Sequence, residues 1–325
     1  MGSKRLTFAG LELRLTDVVV IGGLGFLLLL AAVFNGRLDR PAAFIGTNLL
    51  TIVIYVGTLF ILRSLRPKGL RFLLRTASVQ FMYLRIFLAS RDLQLLFFTW
   101  NDDRVLAWEK AVFGLQPLVW IQELYSPPLT EWMFFVYVVY IVIYPILGAV
   151  IFFRRGEEAN EDYLFQLGLI NLVCGVGFIL FPVAGPMRLE KVRVLLTEPL
   201  RGGVFASMAE YIRTHVHAAG GTIPSPHCAV ATVMWFMSLK YTRRGFWLLA
   251  PVILSLYVST VYGRFHYLSD SVIGIAAAVV VLLAAPSIAG AWNRSRDEPS
   301  RRKRTPGQSP GPRSPWTDGK SGGAS

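Results

Sequence analysis

Charge is scarce in this sequence: Asp, Glu, Lys and Arg make up 16% of its 325 residues, against 54% apolar side chains. A soluble domain of this length carries a larger polar share to cover its surface, so most of this chain must face lipid. Cysteine is nearly absent. Of the two present, Cys174 lies inside an apolar block and Cys228 adjoins His227, a distribution that suggests neither a disulfide framework nor a zinc ligand set. Acidic residues are outnumbered 20 to 33 by Lys and Arg, giving a formal charge of +13. The basic residues sit mainly in short loops and the C-terminal tail, where they act as topology signals and attract anionic headgroups, which argues against nucleic acid as a partner.

What the sequence has in abundance is apolar runs, and its mean hydropathy is +0.49. The blocks Val18–Phe34, Ala43–Leu62, Trp132–Phe153, Leu164–Val183, Ala229–Tyr241, Phe246–Tyr262 and Leu268–Ala289 have the length of bilayer-spanning helices, the fifth being short unless it begins near His227. A weaker block, Ala77–Phe98, is interrupted by Arg85, Arg91 and Asp92. The segment from Met1 to Asp17 carries Lys4, Arg5 and Arg14 as a signal peptide would, but has no small-residue cleavage site, so the first block reads as a retained helix.

The excess of Lys and Arg at Arg63–Arg75, Arg154/Arg155, Lys240–Arg244 and the tail from Arg294 places those segments in the cytoplasm. Consistent alternation then requires the weak block to cross, with Arg85 facing protein or a headgroup. The expectation is eight crossings with both termini cytoplasmic, in a cytoplasmic or plasma membrane. Two loops fall outside: Asn101–Glu131, whose Trp108, Trp120 and amphipathic spacing suit an interfacial helix, and Ala184–Ser225.

The sequence has four histidines, and two of them, His227 and His266, stand at the outer ends of blocks on the same membrane surface. Asp270 follows His266 by four residues, so on a helix they share a face and the carboxylate can orient the imidazole through Nδ1, leaving Nε2 to attack. The other histidine lies in Pro224-Ser225-Pro226-His227, at a helix start whose free N–H groups and Ser225 hydroxyl suit phosphate oxygens. There His227 can act as general acid and base. Arg264 and Arg188 supply charge for the equatorial oxygens. His215 and His217 have no carboxylate or cysteine at ligand spacing and read as a solvated loop. No metal or cofactor is called for, and the expected partners are a lipid phosphate substrate and membrane lipids.

The segments Pro224–His227 and His266-Tyr267-Leu268-Ser269-Asp270 resemble the second and third motifs of the type 2 phosphatidic acid phosphatase/haloperoxidase superfamily. The resemblance implies an all-α polytopic transmembrane bundle, with a six-helix phosphatase-type core and about two further N-terminal helices. It also implies that His266 is the nucleophile, Asp270 its partner and His227 the general acid/base. Phe181–Arg188 and the Asp102–Gln122 stretch are similar to the inositol-phosphorylceramide synthase-like branch of that superfamily. Three positions depart from its pattern: the lysine and Arg-Pro pair of the first motif are missing, Pro226 replaces a glycine, and Thr260 stands where an arginine is usual.

The expected organisation is residues 1–76 as a cytoplasmic segment with two transmembrane helices, 77–292 as the catalytic membrane domain and 293–325 as a disordered basic cytoplasmic tail. The expected activity is a metal-independent lipid phosphatase or phosphotransferase with a phosphohistidine intermediate. The alternative is a non-catalytic lipid-binding or transport protein that keeps the fold.

Overall fold

Apolar blocks that expose no main-chain polar groups to lipid can only be helices here, and helices dominate the computed structural model, which describes residues 6–8, 11–213 and 219–295. A short antiparallel ribbon, β1 (Leu6–Phe8) and β2 (Leu11–Leu13), leads into α1 (Leu15–Val33), α2 (Pro41–Ser64) and α3 (Lys68–Asp92). Then come α4 (Asp102–Phe113), α5 (Pro117–Trp120), α6 (Pro127–Arg155) and α7 (Glu157–Leu180). The short α8 (Glu190–Arg193) and α9 (Val204–Tyr211) precede α10 (Pro226–Tyr241), α11 (Arg243–Tyr262) and α12 (Leu268–Arg294). His215 and His217, and the tail from residue 296, lie outside the described residues.

Seven helices, α1, α2, α3, α6, α7, α11 and α12, are long and apolar enough to cross a membrane. The eighth expected crossing is α10, which has only 16 residues, about 24 Å of helix. It is enclosed by its neighbours: α10 packs on α7, α11 and α12, and its small residues Ala229 and Ala231 are fully buried. Proline at the first helical position starts α2, α6 and α10, where its missing N–H leaves no bond unmade.

The weak block also resolves into a helix, but shifted: α3 starts at Lys68, after the Pro67 N-cap, and ends at Asp92. The shift carries Arg75, which reads as a loop charge in the sequence, into the bundle. Its Nε and Nη2 donate to Glu161 Oε1 and Oε2 of α7, both at 2.7 Å, and its Nη1 donates to Asp17 Oδ1 of α1 at 2.5 Å. Tyr55 of α2 donates to the same Asp17 oxygen at 2.6 Å. Four helices therefore meet at one buried, hydrogen-bonded charge cluster, the arrangement that makes buried charge tolerable.

At the opposite end of α3, the polypeptide between the long helices forms a cap. Along α4 the usual pattern is inverted, with Asp102, Val105 and Glu109 buried while Trp108, Val112 and Phe113 are exposed. A helix with carboxylates inward and aromatics outward fits the interfacial position read from its sequence. Its two carboxylates fasten the cap: Asp102 accepts the N–H groups of Ala184 and Gly185 at 2.8 and 3.0 Å, and Glu109 accepts the N–H of Ser269 at 2.8 Å.

Candidate active site

Under the cap, the first turn of α10 and the loop between α11 and α12 come together. Ser225 is the N-cap of α10, its hydroxyl accepting the N–H of Cys228 at 3.4 Å, and its own N–H donates to the Asp270 carbonyl at 2.9 Å. That main-chain bond ties the start of α10 to the start of α12. The approach is so close that a Cβ on Gly274 would lie 2.6 Å from the Ser225 carbonyl oxygen.

His227, in the first turn of α10, is half-buried and stacks on Tyr137 of α6 with ring centroids 4.9 Å apart. Tyr137 stacks in turn on Phe265 at 4.2 Å. These contacts fix the plane of the imidazole, and its Nδ1 faces His266 Nε2 at 3.2 Å. The proton between them can belong to either ring.

His266 reaches this position through a tight turn rather than along a helix. After α11 ends, Arg264 adopts a left-handed backbone (φ +65°), and the N–H groups of Phe265 and His266 both donate to the Thr260 carbonyl at 3.0 Å. The shared helical face expected for His266 and Asp270 is thus corrected, because α12 starts only at Leu268. The four-residue spacing works through the cap instead. Asp270 is the third residue of α12, its Oδ2 accepts the Tyr267 N–H at 3.0 Å, and the same oxygen lies 3.4 Å from His266 Nδ1. The imidazole nitrogen is at ion-pair distance, without an aligned hydrogen bond. Burial, only partly opposed by the main chain of Thr222, pushes the His266 pKa down to about 3.

The structure brings His227, His266, Asp270 and Ser225 together and commits Arg264 to other partners. Arg264 is buried, and each of its three nitrogens is engaged: Nε with the Tyr125 hydroxyl at 3.3 Å, Nη1 with the Leu196 carbonyl at 3.4 Å, and Nη2 with the Glu198 carbonyl. In place of the expected phosphate contact, the guanidinium holds the loop between α8 and α9 against the helix ends. The reason is local: the left-handed turn at Arg264 aims its side chain at those carbonyls. Arg188 is exposed on a turn closed by its N–H to the Gly185 carbonyl at 3.0 Å.

Three residues gain a place at the site that the sequence reading did not give them. Thr260, fully buried, joins three helices through Ser271 Oγ at 2.9 Å and Cys228 Sγ at 3.7 Å. Asp102 also accepts the Tyr267 hydroxyl at 3.1 Å, and Glu109 accepts the Ser269 hydroxyl at 3.0 Å. Burial raises the Glu109 carboxyl above the usual carboxylate range, against its hydrogen bonds from Ser269. The legible signal was their seven-residue spacing, two helical turns, which sets both carboxylates on one face of α4. Beside His227, a cavity of about 330 Å³ extends inward, lined by Phe87 and Tyr83 of α3, Tyr140 and Tyr144 of α6, Asn171 of α7 and Val230 of α10.

Two imidazoles in contact, one backed by a carboxylate, can deliver a nucleophile to one atom of a bond and a proton to the other. No curated protein and no solved structure matches the chain. The family model described as the PAP2 superfamily matches residues 103–284, from the second residue of α4 into α12, including all three of His227, His266 and Asp270. With more than half of its length matched, this multi-pass helical chain belongs to the PAP2 superfamily, whose members are generally phosphatases.

Proposed function

We propose that the protein cleaves or transfers lipid phosphate esters through a phosphohistidine on His266, at the non-cytoplasmic membrane surface. The observation that carries this reading is the 3.2 Å approach of His227 Nδ1 to His266 Nε2, with Asp270 at 3.4 Å behind the nucleophile. A phosphate that displaces the contact between the two rings meets both nitrogens. His266 Nε2 attacks phosphorus while the bond to the lipid oxygen breaks, and His227 gives its proton to the departing alkoxide. Water or an alcohol then attacks the phosphohistidine, His227 takes the incoming proton, and the P–N bond breaks. Asp270 stabilises the positive charge that His266 carries in between. The main-chain N–H of His227 in the first turn of α10, the Ser225 hydroxyl and the solvent-facing Arg188 are the proposed holders of the phosphate oxygens. Arg264 acts through the loop that it fastens.

The apolar cavity beside His227 supports a lipid chain next to the scissile ester. The similarity of Phe181–Arg188 to the inositol-phosphorylceramide synthase-like branch favours head-group transfer to an alcohol over hydrolysis. A non-catalytic lipid-binding protein is the competing reading, and Pro226 and Thr260 are the residues that speak for it.

Phosphate release by purified protein from several lipid phosphates, with EDTA present, decides between them. Wild type should turn over, and His266→Ala should lose on the order of 10³-fold or more; equal turnover in the two would end the catalytic reading. Product analysis with added alcohol acceptors separates the two chemistries, free phosphate alone arguing for hydrolysis. The proposed orientation has its own test. Cys174 and Cys228 are buried, so a Ser207→Cys substitution on the exposed side of α9 should be what an impermeant thiol reagent labels in intact cells. Labelling only after lysis would reverse the orientation.

A further inference from the structure

An arginine inside a membrane helix needs a partner, and Arg85 of α3 lacks a full set. Its Nη2 donates to Asn48 Oδ1 of α2 at 2.9 Å, while its Nε is buried with no hydrogen-bond partner. Among the described residues no carboxylate pairs with it. Arg85 and Asn48 each lie seven residues inside the ends of their helices at Asp92 and Pro41, which is about 10 Å of helix. Between them a cleft of about 600 Å³ opens, lined by Asp39, Arg40, Thr47, Asn48, Arg85 and Asp92 among others.

The charges of this cleft are mixed and balanced: two arginines, Arg40 and Arg85, face two aspartates, Asp39 and Asp92. A purely anionic ligand would set a second negative charge beside the carboxylates, and a purely cationic one would crowd the arginines. A ligand carrying both signs satisfies all four. Apolar side chains stand exposed on the same two helices: Phe81, one turn before Arg85, is 44% exposed, and Leu49, next to Asn48, is 50% exposed. We propose that the cleft between α2 and α3 binds the headgroup of a zwitterionic phospholipid with a primary ammonium, phosphate on Arg85 and Arg40, ammonium on Asp39 and Asp92. A primary ammonium is specified because the carboxylates accept N–H donors, which a quaternary choline does not offer. The site lies on helices that precede the family-matched residues and shares no residue with the histidine pair.

Native mass spectrometry of the delipidated full chain tests this, with phosphatidylethanolamine, phosphatidylcholine and phosphatidylglycerol supplied at equal concentration. Wild type should retain phosphatidylethanolamine about tenfold over the other two, Arg85→Gln should lose that retention by a similar factor, and Arg85→Lys should keep most of it. Asp92→Asn should bring phosphatidylethanolamine and phosphatidylcholine level. Equal retention of phosphatidylglycerol by wild type, or undiminished retention by Arg85→Gln, overturns the proposal. Displacement of the lipid by soluble phosphoethanolamine at matched concentration overturns it too, since the site would then take a free headgroup. Should Arg85→Gln fail to fold, the Asp39→Asn and Asp92→Asn variants at the exposed mouth carry the same test through loss of ammonium selectivity.

Discussion

At the scale of single residues, the burial of His266 decides its chemistry. An imidazole with a pKa of about 3 is neutral at every physiological pH, so in the tautomer protonated on Nδ1 the lone pair on Nε2 is available for attack without prior deprotonation. The linked stability has a definite sign. The folded value lies below that of the unfolded chain, so the contribution is complete above roughly pH 6.5 and erodes as acid protonates the unfolded state first, down to the folded value. Nitrogen-15 spectra of the labelled ring should show a titration midpoint below about pH 4; one near the ordinary histidine value would contradict the burial. The fall in Tm between neutral pH and about pH 5 should also be smaller in His266→Phe than in wild type. Asp270→Asn keeps an oxygen for the Tyr267 N–H but removes the carboxyl group behind His266. It should lower kcat by roughly 10²-fold with KM little changed. A drop confined to KM would show that Asp270 serves binding and not the nucleophile.

At the scale of elements, the pair of histidines depends on two helices meeting at glycine. Gly274 lets α12 touch the main chain of Ser225, where a Cβ would stand 2.6 Å from a carbonyl oxygen and 3.1 Å from the amide nitrogen. Backbone cannot move aside as a side chain can. Gly274→Ala should therefore cost about 1–3 kcal/mol and splay α10 from α12, lowering both Tm and turnover. Val280→Ala, on the exposed side of the same helix, should leave both unchanged; if the two variants behave alike, the contact does not matter. This is also where sequence reading reached its limit. His227, His266 and Asp270 were legible because spacing and topology set them on one surface. The turn that brings His266 to Asp270 was not, because it depends on the Thr260 carbonyl receiving two N–H groups and on a left-handed Arg264. Nothing in local composition marks a left-handed arginine. For Glu109 and Asp102 the spacing marked a shared face but not its purpose, since their partners, Ser269 and Ala184, lie far along the chain.

At the scale of the molecule, seven of the helices were legible as apolar blocks and α3 from the alternation of the basic loops, while the way the first three attach to the others was not. Arg75 read as one of several loop arginines, and only the fold shows that Asp17, Tyr55 and Glu161 surround it. Removing it alone, as in Arg75→Met, leaves buried Asp17 without its counter-charge and Glu161 with Arg14 alone, at 3.4 Å, and should cost about 3–5 kcal/mol. The measurement is Tm together with cross-linking between cysteines placed on α3 and α7. Joint replacement of Arg75, Asp17 and Glu161 by apolar residues should recover most of the loss, and failure to recover would mean that the cluster contributes more than charge balance.

The same cluster implies an order of events during synthesis. Asp17 on α1 enters the membrane first, Tyr55 on α2 follows, and Arg75 on α3 therefore arrives to find a counter-charge already in place. Glu161 comes last, on α7, and meets an arginine that is waiting for it. Each later ionised member of the cluster is thus received by an earlier one as the chain emerges.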